Sequence, residues 1–265
     1  MTEPVPTRST TQWQSATVVA IVRETATAKT FGLRLSQPTA HLAGQHYLVR
    51  LTAPDGYTAT RSYSVATPPG GDGRIELTIE RLADGEVSIF LHDVVEPGDT
   101  LEVRGPIGEW FVWDGTTPAL LVAGGSGVVP CMAMLRHARN TGSADLVRLT
   151  VSVRTPDDLY YADELPGPET HIVYTRRSPG DDRRPAGHLT ADDLPDDTRR
   201  YRVAYVCGST GFADHATSLL LASGVPADAV RVERFGPSGH DHRRLSQRTL
   251  LPGPTGSTTA SQRRA

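Results

Sequence analysis

The hydrophobic pattern of this chain changes character once, at Asp114-Gly115-Thr116-Thr117-Pro118, and that change limits the fold more than any other feature. Before it, short β-branched or alternating runs cover 16–22, 30–35, 47–51, 61–66, 75–79 and 100–103. Turn residues such as Pro54-Asp55-Gly56 and Pro68-Pro69-Gly70-Gly71 separate them. Alternation at a period of two buries one face of a strand, and six such runs at this spacing predict an antiparallel barrel or sandwich. A single helix is expected at 86–95, with Val87, Phe90, Leu91, Val94 and Val95 on its buried face. After the change, apolar strands alternate with helices. Strands are expected at 119–123, 148–153, 171–175, 201–207 and 230–235. Helices are expected at 128–139 (Val128, Met132, Leu135 and Arg139 at helical spacing), near 157–165, and at 212–222. That order predicts a doubly wound parallel sheet. The expected fold class is therefore β + α/β, with a barrel over 13–114 and an α/β domain over 118–235. Polar, aperiodic composition marks 1–12 as a flexible leader and 236–265 as a disordered tail.

Composition narrows the function classes. Hydrophobic residues make up 38% and charged residues 22%, which excludes a mostly disordered chain. No apolar run approaches the roughly 18 residues of a membrane helix, and residues 1–14 hold no apolar signal-peptide core. No membrane association and a cytoplasmic, monomeric protein are expected. A net charge of -3 gives no global attraction to nucleic acid. The two cysteines, Cys131 and Cys207, are too few for a disulfide scaffold or a four-thiolate iron–sulfur cluster. The nine histidines show no HExxH spacing, so no metal site is expected. Lys29 is the only lysine, a compositional bias with no functional reading because Arg is spread along the whole chain.

Four constellations carry chemistry. In Arg61-Ser62-Tyr63-Ser64, a strand sets Arg61 and Tyr63 on one face and Ser62 and Ser64 on the other. A guanidinium fork and an aromatic ring together suit a ligand with a phosphate and a flat ring. The plain alternative is an outer strand with a solvated Arg. Asp84-Gly85-Glu86-Val87-Ser88 opens the barrel's helix, where free amides accept a pyrophosphate; the alternative is an ordinary cap made by Asp84 or Ser88. Gly124-Gly125-Ser126-Gly127-Val128-Val129-Pro130 follows a buried strand and opens a helix, the phosphate-cradling position of a nucleotide-binding sheet; the alternative is a glycine-rich turn with no ligand. Cys207-Gly208-Ser209-Thr210-Gly211 ends another parallel strand, so Cys207 is expected to reach the same crevice, unless it is simply a buried thiol.

Together with Gly44-Gln45, Gly105-Pro106-Ile107-Gly108 and Glu233-Arg234-Phe235, these segments make the chain similar to the ferredoxin–NADP reductase superfamily from about Trp13 to Phe235. It most resembles stand-alone flavin reductases of oxygenase-type electron chains. The resemblance implies a flavin-binding barrel followed by a nicotinamide-binding domain, with FAD and NADPH as cofactors and NADH as the alternative reductant. It implies that Arg61 contacts the flavin pyrophosphate, Tyr63 packs on the isoalloxazine and Ser64 hydrogen-bonds near N5, with Ser62 between them. Gly85, Glu86, Val87 and Ser88 hold the pyrophosphate. Gly125, Ser126 and Gly127 face the dinucleotide. Cys207 and Gly208 border the nicotinamide, and Glu233 and Phe235 lie near the flavin. Ser64, Cys207 and Glu233 are the implied catalytic residues. Arg154 and Arg176 stand where such proteins read a 2′-phosphate, although Asp157 and Asp158 suit NADH instead. Ser209 replaces a common Pro, and no iron–sulfur cysteines are present, so electrons are expected to leave for a separate acceptor: a ferredoxin, a haem protein, an oxygenase or a molybdenum enzyme. The competing readings are a non-catalytic flavoprotein or regulatory subunit, and an FMN-dependent reductase.

Overall fold

The computed structural model describes residues 12–180 and 182–236. The expected leader, apart from Gln12, and the expected tail beyond Gly236 lie outside the described residues. The described residues up to Phe235 belong to one compact unit.

Six antiparallel strands form the first sheet: β1 (Gln14–Arg23), β2 (Ala28–Leu35), β3 (His46–Thr52), β4 (Thr58–Ser64), β5 (Arg74–Glu80) and β6 (Thr100–Ile107), in the order β4-β3-β6-β1-β2-β5. The ends of this order meet. Val65 and Leu77 form an antiparallel bridge, and the Ala66 amide donates to the Glu76 carbonyl at 2.8 Å, which closes the sheet into a barrel. Closure removes the unpaired edges that an open sheet exposes. Inward alternation fills the barrel with Phe31, Leu33, Tyr47, Val49, Ile75, Leu77, Ile79 and Val103.

Helix α1 (Glu86–Asp93) packs Val87 and Leu91 onto this core, followed by Val95. Phe90 and Val94, expected on the buried face, are exposed instead. The inward positions they would share are taken by Ser88 and His92, whose polar atoms bond backbone of the β5 region: Leu82 donates to Ser88, and His92 Nε2 lies 2.8 Å from the Ile79 carbonyl. Buried polar groups with partners displaced apolar ones without strain.

The second sheet holds β7 (Ala119–Gly124), β8 (Val147–Val153), β9 (Thr170–Tyr174), β10 (Val203–Ser209) and β11 (Val230–Phe235), all parallel, in the order β11-β10-β7-β8-β9. Both faces are covered, as a parallel sheet requires. Leu121, Ala123, Leu149, Val151 and Tyr205 pack with Cys131, Met132 and Leu135 of α2 (Val128–Asn140). Leu120, Val122, Ala204 and Val206 pack with Ala213, Ala216 and Leu220 of α3 (Thr210–Ala222). The strand order reverses between β7 and β10, which places a switch-point crevice beyond their carboxyl ends.

The helix expected near 157–165 does not form. Pro156–Asp158 makes one short 3₁₀ turn, and Tyr161 sits at φ +54°, outside the right-handed helical region. Hydrogen bonds to the barrel hold this segment out of helical geometry: the Tyr161 amide donates to Glu24 Oε2 at 3.0 Å and its hydroxyl to Thr78 Oγ1 at 2.5 Å.

The two sheets share a core. Ala28, Ala43, Ala66, Phe111 and Trp113 from the N-terminal side belong to the cluster built on α2 and the parallel sheet. The Phe111 and Tyr205 rings meet edge to face at 5.1 Å, and the Tyr205 hydroxyl donates to the Val112 carbonyl at 2.5 Å. Because this core is common property, Phe111→Ala is expected to cost about 3–5 kcal/mol, the usual penalty for a fully buried Phe. Tryptophan fluorescence and far-ultraviolet dichroism are expected to report one coincident thermal transition, lowered in the variant. Two separate transitions in the wild type would disprove a shared core.

Candidate functional site

β4 presents the first set of groups. Arg61 is exposed, its Nη1 donates only to the neighbouring Thr60 carbonyl at 2.8 Å, and it has no carboxylate partner among the described residues. Tyr63, two positions on and on the same face, packs against the barrel core, where burial pushes its phenol well up. Ser62 is exposed on the other face, and Ser64 is buried there beside its cross-strand neighbour His46. Neither the Ser64 hydroxyl nor the His46 ring makes a side-chain hydrogen bond among the described residues. Burial pushes the His46 imidazole below its ordinary range, which favours its neutral form.

The start of α1 lies beside β4. Its N-cap is Gly85, with no side-chain cap, and the first intrahelical bond runs from Ile89 N to the Gly85 carbonyl at 2.8 Å. The amides of Glu86, Val87 and Ser88 therefore lack helical partners and carry the positive end of the helix dipole. Ser88 does not cap: its hydroxyl accepts from the Leu82 amide at 3.1 Å and donates to the Gly85 carbonyl at 3.0 Å. The Glu86 carboxylate accepts a bond from the Tyr57 hydroxyl at 3.2 Å. What this end offers an anion is backbone, together with Arg61.

The second set lies at the switch point. Gly125–Gly127 forms a 3₁₀ turn between β7 and α2. Gly125 has φ +54° and open space on its outer side. A Cβ on Gly127 would stand 2.1 Å from the Cys207 carbonyl oxygen, so only glycine lets the turn press against β10. Neither the turn nor α2 has a side-chain cap; the Val128 amide donates to the Gly125 and Ser126 carbonyls, and the amides of Gly125, Ser126 and Gly127, first in the turn, have no acceptor within the helix. Gly124 and Gly208 have a different cause: the Phe212 ring of α3 lies on both, and a Cβ on either would fall 2.5 and 2.7 Å from it. Ser209, where Pro is common, is the N-cap of α3, its hydroxyl accepting from the Phe212 amide at 3.4 Å.

The Cys207 thiol is completely buried in the core under this turn, and burial pushes its pKa well up. It is the Cys207 carbonyl, not the sulfur, that meets the Gly127 turn. The expectation that the side chain opens into the crevice gives way to the plain buried-thiol alternative, because the strand alternation that turns Val206 toward α3 turns Cys207 toward α2. Glu233 is its cross-strand neighbour on β11, and burial pushes the Glu233 carboxyl up to about 7. Phe235 ends β11 opposite Ser209 and packs on the shared core.

Arg154 and Arg176 follow β8 and β9, joined by the Arg176 amide donating to the Arg154 carbonyl at 2.9 Å. The Arg154 guanidinium is already paired, with Asp158 at 2.8 Å, and Arg177 pairs with Asp157. Arg176 is exposed and has no carboxylate partner among the described residues. Sequence reasoning missed the part of three residues: His46 beside Ser64, Phe212 against Gly124 and Gly208, and Arg136, which reaches from α2 to the barrel. Arg136 stood four residues after Met132, a charge beside the apolar face of a predicted helix, and that position was its signal.

This donor set fits a flavin dinucleotide in the first half: an unpaired cation, an uncapped helix start and a half-buried ring on one strip. It fits a second dinucleotide at the glycine turn of the other half. No helix among the described residues is long and apolar enough to cross a membrane.

Comparison with known proteins assigns a family to each half. Residues 15–112 match the oxidoreductase FAD-binding domain family, and residues 121–218 match the oxidoreductase NAD-binding domain family. The chain is 30% identical over 189 residues to the reductase component of propane 2-monooxygenase from Rhodococcus jostii, covering 66% of this chain and 51% of that protein. It is 30% identical over 258 residues to the glycine betaine monooxygenase reductase subunit of Chromohalobacter salexigens, covering 91% of this chain and 69% of that one. The chain thus spans about half the length of the first relative. Among solved structures, the ferredoxin reductase in carbazole 1,9a-dioxygenase superposes with a TM-score of 0.70 at 27% identity, over 85% of this chain and 70% of that one. The barrel, the switch-point crevice and these matches lead to one assignment: the chain belongs to the ferredoxin reductase-like oxidoreductases, with an FAD-binding domain followed by an NAD-binding domain.

Proposed function

We propose that this protein is the reductase of a multicomponent redox chain, taking a hydride from NAD(P)H onto FAD and passing electrons to a separate acceptor protein. The observation that carries the reading is the pair of helix starts without a side-chain cap, one at α1 beside Arg61, which has no carboxylate partner among the described residues, and one at the Gly125–Gly127 turn. Bound flavin accepts electrons in pairs and releases them singly, which a one-electron acceptor requires. In this reading 13–114 holds the flavin and 118–235 the nicotinamide dinucleotide. Arg61 and the amides of 85–88 hold the flavin pyrophosphate. Tyr63 supports the ring, and the free Ser64 hydroxyl serves N5. Ser126 and the Gly125 and Gly127 backbone hold the nicotinamide dinucleotide, and Gly208 and the Cys207 carbonyl border its reactive end. Phe235 and Glu233 close the site from β11. The acceptor belongs to the class that the named relatives serve, an oxygenase or its ferredoxin.

The test is anaerobic. Purified protein is expected to be yellow with FAD and to bleach on adding NADPH or NADH. A yellow protein that neither bleaches would favour a non-catalytic flavoprotein, and a colourless one that takes up no flavin would sink the reading. Arg61→Ala is expected to weaken FAD binding by roughly 1.5–3 kcal/mol, about 10- to 150-fold, for a lost charge-assisted contact. Flavin titration measures it.

Glu233 makes the reaction pH-dependent in this reading. Its carboxyl, at about 7, ionises across neutral pH beside the crevice. A negative carboxylate there opposes the negative charge that hydride transfer brings to the flavin, so the rate of flavin reduction is expected to fall as pH rises through about 7. Glu233→Gln is expected to keep the low-pH rate throughout. A stopped-flow profile that is flat in the wild type, or unchanged in the variant, would remove Glu233 from the site.

NADPH is the reductant we expect to be preferred, because Arg154 and exposed Arg176 follow the strand ends where a 2′-phosphate would lie, and NADH is also accepted, because that phosphate must compete with Asp158 for Arg154. Asp158→Asn frees the guanidinium and is expected to raise the NADPH-to-NADH ratio of kcat/KM. Arg154→Ala is expected to lower it at least about 10-fold. Ratios that stay constant in both variants would leave these as surface ion pairs.

A further inference from the structure

We propose that Arg136 is a positioning residue for hydride transfer, tying the helix that starts at the glycine turn to the strand end that carries Ser64. The proposal rests on the reductase reading and goes beyond it, since none of the groups assigned to FAD or NAD(P)H includes Arg136. Its side chain is only 16% exposed. From α2 of the NAD-binding half it reaches across to the barrel, where Nη1 donates to Glu76 Oε2 at 2.7 Å and to the Ala66 carbonyl at 3.0 Å. Its other edge binds Glu164 through Nε at 2.9 Å and Nη2 at 2.5 Å. The guanidinium carbon lies 5.1 Å from the Tyr161 ring centroid. A planar fork with all its edges engaged holds direction as well as distance, which a lysine ammonium does not.

The position of this clamp gives it a mechanical role. Ala66 lies two residues beyond Ser64, at the bridge that closes the barrel, and its own amide is held by the Glu76 carbonyl. On the other side, Arg136 and the Gly125–Gly127 turn share one stiff element, with Val128 and Arg136 roughly 12 Å apart along the helix axis. The path from Ser64 through Ala66, Arg136 and α2 to Gly127 therefore contains no flexible loop. The apolar core keeps the two halves together, but apolar contact is non-directional and tolerates small slides. Hydride transfer does not: a misplacement of about 1 Å can cost about 100-fold in rate.

The test uses the full-length FAD-loaded protein. Arg136→Gln is expected to slow anaerobic flavin reduction at saturating NAD(P)H about 10- to 100-fold, while FAD affinity and NAD(P)H affinity stay within about twofold. The long-wavelength absorbance of a reduced nicotinamide stacked on flavin is expected to weaken in parallel, a signature that a loss of stability alone does not produce. Arg136→Lys restores charge without the fork and is expected to recover only part of the rate. Glu76→Gln cuts the clamp from the barrel side and serves if Arg136→Gln does not fold. The double variant is expected to be no slower than the slower single one. Wild-type reduction rates in folded Arg136→Gln or Glu76→Gln, or a rate loss explained wholly by lost FAD, would overturn the proposal. A wild-type protein that NADPH and NADH both fail to reduce overturns the reductase reading itself, whereas a normally reduced wild type with unaffected variants overturns only the role of Arg136.

Discussion

The rest of the structure depends on a core that belongs to neither sheet alone. Phe111 and Trp113 leave the barrel and bury themselves against α2 and Tyr205, while Ala28, Ala43 and Ala66 meet the same cluster from the barrel. Trp113 is also pinned by its own chain, its indole Nε1 donating to the Thr117 carbonyl at 2.8 Å across the 114–118 segment. In a two-domain protein with a small polar contact, the segment between domains behaves as a linker and the domains move. Here it is packed. The start of α1 and the glycine turn consequently belong to one body. Two cofactors that must meet at short range benefit from that arrangement, because orientation is built into the fold.

Most of the fold was legible, because its signals are local. Short β-branched or alternating runs marked the barrel strands, and the pattern change at Asp114–Pro118 separated antiparallel from parallel sheet. What periodicity did not carry was the choice between apolar and partnered polar residues at one face. The α1 face expected from Phe90 and Val94 turned outward because Ser88 and His92 had backbone partners inside. The barrel's closure at Val65 and Leu77 was equally invisible, since pairing of the first and last strands in the sheet order depends on the curvature of the whole sheet and leaves no mark at either residue.

In the candidate site, motif and cause separated. The glycines at 124–127 and 208 read as one signal for a nucleotide, yet they answer to different neighbours. Gly127 lets the turn reach the Cys207 carbonyl, Gly125 faces open space, and Gly124 and Gly208 make room for Phe212. Only Gly125 and the free amides of the turn speak directly for a ligand. Cys207 illustrates the same point from the other side. A residue placed by sequence at a crevice has its backbone there and its sulfur in the core, because the side chain follows the strand's alternation and not the motif. Spacing located these residues; it did not say which atom of each faces the ligand.

The failed helix at 157–165 shows why the joint could not be read from sequence. Asp157 and Asp158 followed by apolar residues form a sound helix start, and the local preference is real. Tyr161 is nevertheless held at φ +54°, an arrangement that costs of order 1–3 kcal/mol for a residue with a Cβ and persists only when the surroundings over-determine it. They do so here. Its amide is bound by Glu24, its hydroxyl by Thr78, which shares a hydrogen bond with Thr30, and its ring lies under Arg136. Every one of these partners lies outside the segment, and Glu24, Thr30 and Thr78 belong to the barrel. A window of sequence weighs a segment against itself, and this segment is shaped by residues more than 80 positions away, such as Thr78 at a separation of 83. The loop gives up its own helix to hold the NAD-binding half against the barrel, beside the guanidinium that grips the strand end of Ser64.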